Sequence, residues 1–417
     1  MKYTAFWSRD VALSLVLSLL CIGLYFLPTG FESAVDTQAV RCTAHVLDVD
    51  NARVQRHGMV QTGEQGLDLE IAGGPLAGRR VEATNNLLGQ MDRETLFSPE
   101  DTVRVVVTQD QEGDIVHVSV QDHARLGWEL LLLGLFALLV CLFGGWTGAK
   151  ALLSFLLAAF MLWKVLIPAL LRGWDPLWVT LGVVALLCAS IIFLVAGVNR
   201  KGLVAFLGSF LGVLTSCILA VIFTDILHLR GAIMPFAETL LYSGFGHLDL
   251  TRIYIAAVFL ACSGAVMDLG MDVAASMQEV ATQNPDISRL ALIKSGLNVG
   301  RAVVGTMTTT LLLAYSGGFL TLLMAFMARG IPVDTTLNFI YVAAEVVKTI
   351  VGSFGLVTVA PFTALMGGLI LASSPSSSSL FSPPPQERRF RLADILHIFA
   401  SYRHLILLYH HKHSRTK

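Results

Sequence analysis

Three carboxylates stand where apolar sequence would be expected. Asp268, Asp272 and Glu279 follow directly on a membrane-grade run that begins at Ile253. With Ser276 they recur at helical spacing, so they share one face of a helix. A carboxylate drawn out of water holds a proton more readily or seeks a cation, and beside lipid it is costly, so this face must meet protein, water or the membrane surface. Arg301 opens the next apolar run and is followed by Thr306, Thr308, Thr309 and Thr310. Glu345 and Lys348 lie three residues apart in the last apolar region, close enough on a helix to neutralise one another. The residue types and spacings suit an ion or proton pathway built from Asp268, Asp272, Glu279, Arg301, Thr308, Glu345 and Lys348. Threonine in a membrane helix also bonds back to its preceding turn, so Thr308 is a weak member of that set alone.

The elements that carry these residues are membrane helices. The chain has 417 residues, 54% hydrophobic and 14% charged, with net charge −1 and mean hydropathy +0.68. That balance fits a polytopic membrane protein in a lipid bilayer and gives no basis for nucleic-acid binding. Five of the six cysteines fall in apolar runs, and Cys42 is alone in the polar N-terminal segment, which argues against a disulfide framework. There is no Walker loop, GxSxG or HExxH, no nucleophile–base pair and no Cys/His cluster in the membrane or polar segments, so neither enzyme chemistry, a cofactor nor a metal site is expected.

Residues 1–30 read as an N-terminal anchor entering from the cytoplasm. A signal peptide is the alternative, with Thr37 to Ala39 the best cleavage site. Residues 31–126 are polar and read as β. Ala39–Val49, Leu67–Ile71 and Arg79–Ala83 are candidate strands, and Val103–Val107 and Val116–Val120 alternate across a turn at Gln109–Gly113. Short strands separated by glycine turns predict a small extracytoplasmic barrel or sandwich, OB-like. Its histidines, His45, His57, His117 and His123, are scattered and read as surface residues.

Residues 127–372 form a multi-helix transmembrane domain. Apolar runs at 128–143, 151–171, 177–198 and 203–223 are expected spans, with Lys164 inside the second and tryptophans near the run ends. Phe236–Tyr242 is expected to form an interfacial helix, Ile253 to about Gly270 a span, and Met271–Ser295 a cytoplasmic amphipathic section broken at Asn284-Pro285. Gly317-Gly318 interrupts the next run, and Gly352, Gly355 and Pro361 predict a broken or kinked element in Phe339–Ala372. The chain therefore has eight spans if these glycines only kink helices, and ten if they turn them. Arg200 and Lys201 fall on the cytoplasmic side when the N-terminus does. Residues 373–386 are a Ser/Pro-rich linker, and 387–417 a basic cytoplasmic tail whose His410, His411 and His413 read as part of the basic character.

GAVMDLGMDVAASMQE (Gly264–Glu279), NVGRAVVGTMTTTLLLAYSG (Asn298–Gly317) and EVVKTIVGSFGLVTVAPFTAL (Glu345–Leu365), together with the order of elements over residues 1–372, resemble the bacterial YibE/F family of multipass membrane proteins. The resemblance implies a plasma-membrane topology and no established reaction. The Asp-bearing span, amphipathic link and Arg-led Thr-rich span also resemble, in layout alone, the membrane half of SecD/SecF-type proton-driven export factors. The expected function is ion-gradient-coupled transport of a small solute or assistance to envelope export. The alternative is a non-transporting scaffold whose β-rich domain binds an envelope protein.

Overall fold

The computed structural model describes residues 2–32, 39–91, 94–110 and 114–372. The turn at 111–113, the segment 33–38 and the linker and basic tail from residue 373 lie outside the described residues.

After helix α1 (Lys2–Phe26) come five antiparallel strands, β1 (Ala39–His57), β2 (Val60–Ile71), β3 (Arg80–Leu88), β4 (Thr102–Gln109) and β5 (Ile115–His123). Their order is β3-β2-β1-β4-β5, and the two edges, β3 and β5, approach one another to leave a near-closed barrel of the expected OB-like kind. Alternation dictates the interior. Cys42, Ala44 and Val46 of β1, Leu67, Leu69 and Ile71 of β2, and Val103, Val105 and Val107 of β4 are all buried together. The strands run well past their buried parts. Residues Arg53–His57 pair with Val60–Glu64 as a polar ribbon turned at Gly58, which sits at φ +67°.

One buried amide closes the barrel. Gln65 is fully buried, and its side chain donates to Asn51 Oδ1 (2.9 Å) and to the Phe97 carbonyl (2.8 Å) and accepts from the Phe97 N–H (3.0 Å). Asn85 donates to Gln65 Oε1 at 3.2 Å and to the Thr95 carbonyl at 2.9 Å. The β3–β4 connection is thereby pinned with Phe97 in the barrel core.

Among the described residues, six helical stretches are long and apolar enough to cross a bilayer, and Val11–Phe26 is a shorter apolar one. The first runs through α2 (Leu126–Phe160), a π-helical turn (Met161–Leu166) and α3 (Ile167–Leu171). Its 46 residues would make a straight helix of about 69 Å, twice the bilayer's hydrocarbon thickness. It is folded double instead. Gly145 leaves helical geometry at φ 52°, ψ −128°, the rings of Phe136 and Phe155 lie 6.2 Å apart, and a Cβ on Gly148 would meet the Val140 carbonyl. The six stretches thus offer seven segments of crossing length, beside the shorter Val11–Phe26.

The remaining helices are α4 (Pro176–Ala196), α5 (Arg200–Ile226), α6 (Ala237–Tyr242), α7 (Leu250–Gln283), α8 (Arg289–Ser316), α9 (Leu320–Ala328), α10 (Val333–Asn338) and α11 (Ile340–Ile370). Caps set several starts. Asp175, Asn199, Asp249 and Ser288 each accept a backbone N–H from the first turn of α4, α5, α7 and α8.

One alternative falls away and one expectation is corrected. Gly352 and Gly355 do not break the last element, because α11 is one continuous helix containing Pro361. Its glycines are close-packing sites: a Cβ on Gly355 would lie 2.0 Å from Ser216 Oγ. Nor is Met271–Ser295 a separate surface section as far as its break at Asn284. The helix α7 runs unbroken to Gln283 with Val273, Ala274 and Met277 fully buried in the bundle. At Gly317–Phe319 a 3-10 turn bends the path, and the nine residues of α9 are too few to form a pass alone.

The core of the bundle is α5 held between α7 and α11, with α8 against both. Gly208 meets Thr363, Gly212 meets Val266 and Gly355, and Gly270 meets Ser209. The end of α1 is fastened by cations: Lys164, on the π-helical turn, donates to the Leu27 carbonyl (2.9 Å), and Arg172 to that of Thr29 (2.9 Å). Glu32 caps the same turn. Its own backbone and Thr29 hydrogen bonds hold its carboxyl down at about 2.

Overpacking this seam is expected to cost about 1–3 kcal/mol. Gly355→Ala should lower the thermal midpoint of the full-length protein, and Ser216→Gly should restore most of that loss when combined with it. Differential scanning calorimetry of the two variants in detergent checks this. Equal loss with and without Ser216→Gly would show that the contact is not the constraint.

Candidate functional site

A chamber of about 800 Å³ opens at the end of the bundle where α7 and α11 begin. It lies between α6 with its preceding turn, the first halves of α7 and α11, and the bend leading into α9. Glu238, Tyr254, Thr321, Tyr341, Glu345 and Lys348 give it its polar character. Chain direction places this opening on the same side of the bundle as the barrel, and Phe31 and Phe245 touch there at 6.2 Å.

At its base the predicted Glu345–Lys348 pair forms, with Nζ 3.4 Å from Oε2 and each side chain about one-third exposed (32% and 29%). The Lys348 ammonium also lies over the ring of Tyr315, 5.1 Å from its centroid. Tyr254 donates to the Ala344 carbonyl at 2.7 Å and so ties α7 to the first turns of α11. Polar groups continue inward. The Tyr315 hydroxyl is buried without a hydrogen-bond partner beside Gly352 and Cys262. Cys262 Sγ donates to Ser216 Oγ at 3.5 Å, and Ser216 to the Val351 carbonyl at 3.2 Å. Ser209 donates to the Val266 carbonyl at 3.4 Å further along α5. A charged pair at the base of the chamber thus leads to hydroxyl and thiol groups inside the helix seam.

The other sequence candidates lie elsewhere. Asp268, Asp272 and Glu279 are all exposed on the outer side of α7, and Glu279 accepts from Gln283 at 2.8 Å. Arg301 is exposed on α8 and makes no ion pair with them. Thr308 donates to the Val304 carbonyl at 2.7 Å, and Thr306, Thr309 and Thr310 likewise bond back to their own helix. The structure therefore brings Glu345 and Lys348 together and sets the α7 acids and Arg301 apart from them. Among the described residues no three His, Cys, Asp or Glu side chains converge on a metal position.

Tyr254, Tyr315, Ser216 and Cys262 carry no mark in the sequence that singles them out for the chamber. The nearest signal is the four-residue spacing of Gly208, Gly212 and Ser216, a small-residue face suited to close helix approach.

Fold and site together define a multi-pass membrane protein whose small barrel precedes a glycine-packed helical bundle. The family model of YibE/F-like proteins matches residues 132–373, more than half of the chain, and the chain belongs to that family. The match spans the bundle and begins after the barrel. Comparison with curated proteins and with solved structures found no match.

Glu345 and Lys348 stabilise each other in a half-buried setting, where losing one partner strands the other. Glu345→Gln or Lys348→Met alone should cost about 1–2 kcal/mol, less than a fully buried pair. The double variant should lie closer to wild type than the sum of the two. A double-mutant cycle on thermal unfolding measures the coupling, and additive losses would mean that the pair does not interact.

Proposed function

We propose that this protein is a carrier, not an enzyme, that moves a small solute or assists export across the envelope under an ion gradient. The observation that carries the reading is the Glu345–Lys348 pair at the base of the chamber, continued inward by Tyr315, Ser216 and Cys262. A carboxylate and an ammonium side by side complement a solute that bears both charges, and a proton on Glu345 would release Lys348 to bind an anionic group. Asp268, Asp272, Glu279 and Arg301 lie apart from this pair on the outer faces of α7 and α8, and the reading does not use them. The reading sets the bundle in a bacterial plasma membrane with both termini cytoplasmic and residues 31–126 outside. Arg200, Lys201, Arg289 and Lys294 at the bundle end away from the barrel support that orientation.

A second reading rests on a different observation. The barrel carries a groove of about 830 Å³ with Asp48, Asp50, Asp68, Arg79, Arg80 and His117 among its lining residues. Such a surface suits a scaffold that holds an envelope protein.

Solid-supported-membrane electrophysiology on proteoliposomes separates the two. Amino acids and short peptides applied under a pH step should give transient currents that vanish in Glu345→Gln and Lys348→Met. Deleting residues 31–126 should leave those currents in place. Wild-type protein without current for any solute, together with an export phenotype lost on deleting 31–126 and kept in Glu345→Gln, would favour the scaffold.

A further inference from the structure

The outer faces of α7 and α8 carry charges that the chain leaves uncompensated. Asp268, Asp272 and Arg301 are exposed, and none of the three side chains makes an ion pair or hydrogen bond. These groups lie within the bundle's depth. Gly270, between the two acids, lies against Ser209 and the Ala205 carbonyl, and Ala205 is more than one turn inside the start of α5. A bare carboxylate facing hydrocarbon there is unfavourable.

Helix geometry explains why Asp272 and Arg301 do not meet in one chain. The helices α7 and α8 run antiparallel: Gly300 packs beside Val273 and Gly296 beside Met277. One step from the first facing pair brings Asp272 level with Arg301. That step turns each side chain by about 100° in the same sense around its own axis. Because facing residues point at each other, the two charges end on opposite sides of the helix pair.

We infer that copies of this chain associate head to tail in the membrane, the acidic face of α7 on one copy against the Arg301 face of α8 on the next. Rotation about the membrane normal keeps every residue at its depth, so Asp272 comes level with Arg301 of the partner subunit. A two-fold contact through the acidic face alone would set like charges together. The contact is therefore heterologous and closes as a ring of more than two copies. Three features of the faces agree with it. Ala261, Gly264 and Ala275 flank the acids, and Gly305 lies one turn from Arg301, all exposed and small enough to let backbones approach. Of the 28 residues of α8 only Leu292, Gly296, Gly300 and Leu311 are buried, which leaves the helix a broad outer surface to offer. The opposite signs on the two faces make them complementary to each other and not to themselves. This inference is independent of the transport reading.

The test uses the full-length protein in lipid nanodiscs and native membranes. Native mass spectrometry should find more than two copies per particle. Asp272→Arg and Arg301→Asp should each disperse the assembly, and the two changes combined should restore it. Ala275 and Asn298 are level with each other and exposed on the two faces. Differently tagged chains carrying Ala275→Cys or Asn298→Cys, both with the exposed Cys141 replaced by Ser, should cross-link to one another through a short bis-maleimide. A monomer in nanodiscs, an Ala275→Cys homodimer as the main cross-link, or an assembly indifferent to both charge reversals would overturn the inference.

Discussion

The bundle depends on how closely three helix backbones approach. In a bilayer, lipid tails are as apolar as leucine, so packing and interhelical hydrogen bonds hold helices together where water exclusion cannot. Here α5 is pressed between α7 and α11 by glycines whose missing side chains would overlap Thr363, Ser209, Val266 and Ser216. Ser209 and Ser216 are completely buried and turn their hydroxyls onto carbonyls of α7 and α11. The same small residues that allow contact thus supply the polar groups of the interior.

That constraint distributes the charges. A seam this tight has no room for a carboxylate, so the acids of α7 point outward, where their helix meets no neighbour. Toward the barrel side, where α6 and the bend before α9 stand between α7 and α11, a chamber admits charged side chains. Glu345 and Lys348 occupy that widening and meet the buried polar line at Tyr315. The function and the association proposed above follow from two of the places where charge remains: one facing the chamber, one facing outward.

The sequence exposed much of this and concealed the rest for physical reasons. Alternation marked β4 because Val103, Val105 and Val107 are all buried, and β5 through the buried Val118 although Val116 is exposed, whereas Arg53–His57 of β1 extend beyond the barrel and are not buried, so they show no period. The turn at Gly144-Gly145 was legible as a gap between apolar runs. The acidic face of α7 was legible at its spacing, but the same acids lowered the hydropathy of the window and hid the fully buried Val273, Ala274 and Met277 on the opposite side. Gly352, Gly355 and Pro361 read as breakers, since a sequence does not say whether a glycine bends its own helix or admits another. The Glu345–Lys348 pair is local and could be read from its spacing. Tyr254 and Tyr315 reach their places through contacts between α7, α8 and α11, which no local pattern encodes.

The claim on which the account rests is that the chamber admits water from the barrel side as far as Glu345. Cysteines placed at Met234 on its rim, Thr321 on its wall and Glu345 at its base, in a Cys141→Ser background, can be exposed to a membrane-impermeant maleimide in sealed vesicles of known orientation. The account predicts labelling at all three positions from the barrel side and none at Glu345→Cys from the other side. Labelling at Met234→Cys alone, with Thr321→Cys and Glu345→Cys protected, would contradict it.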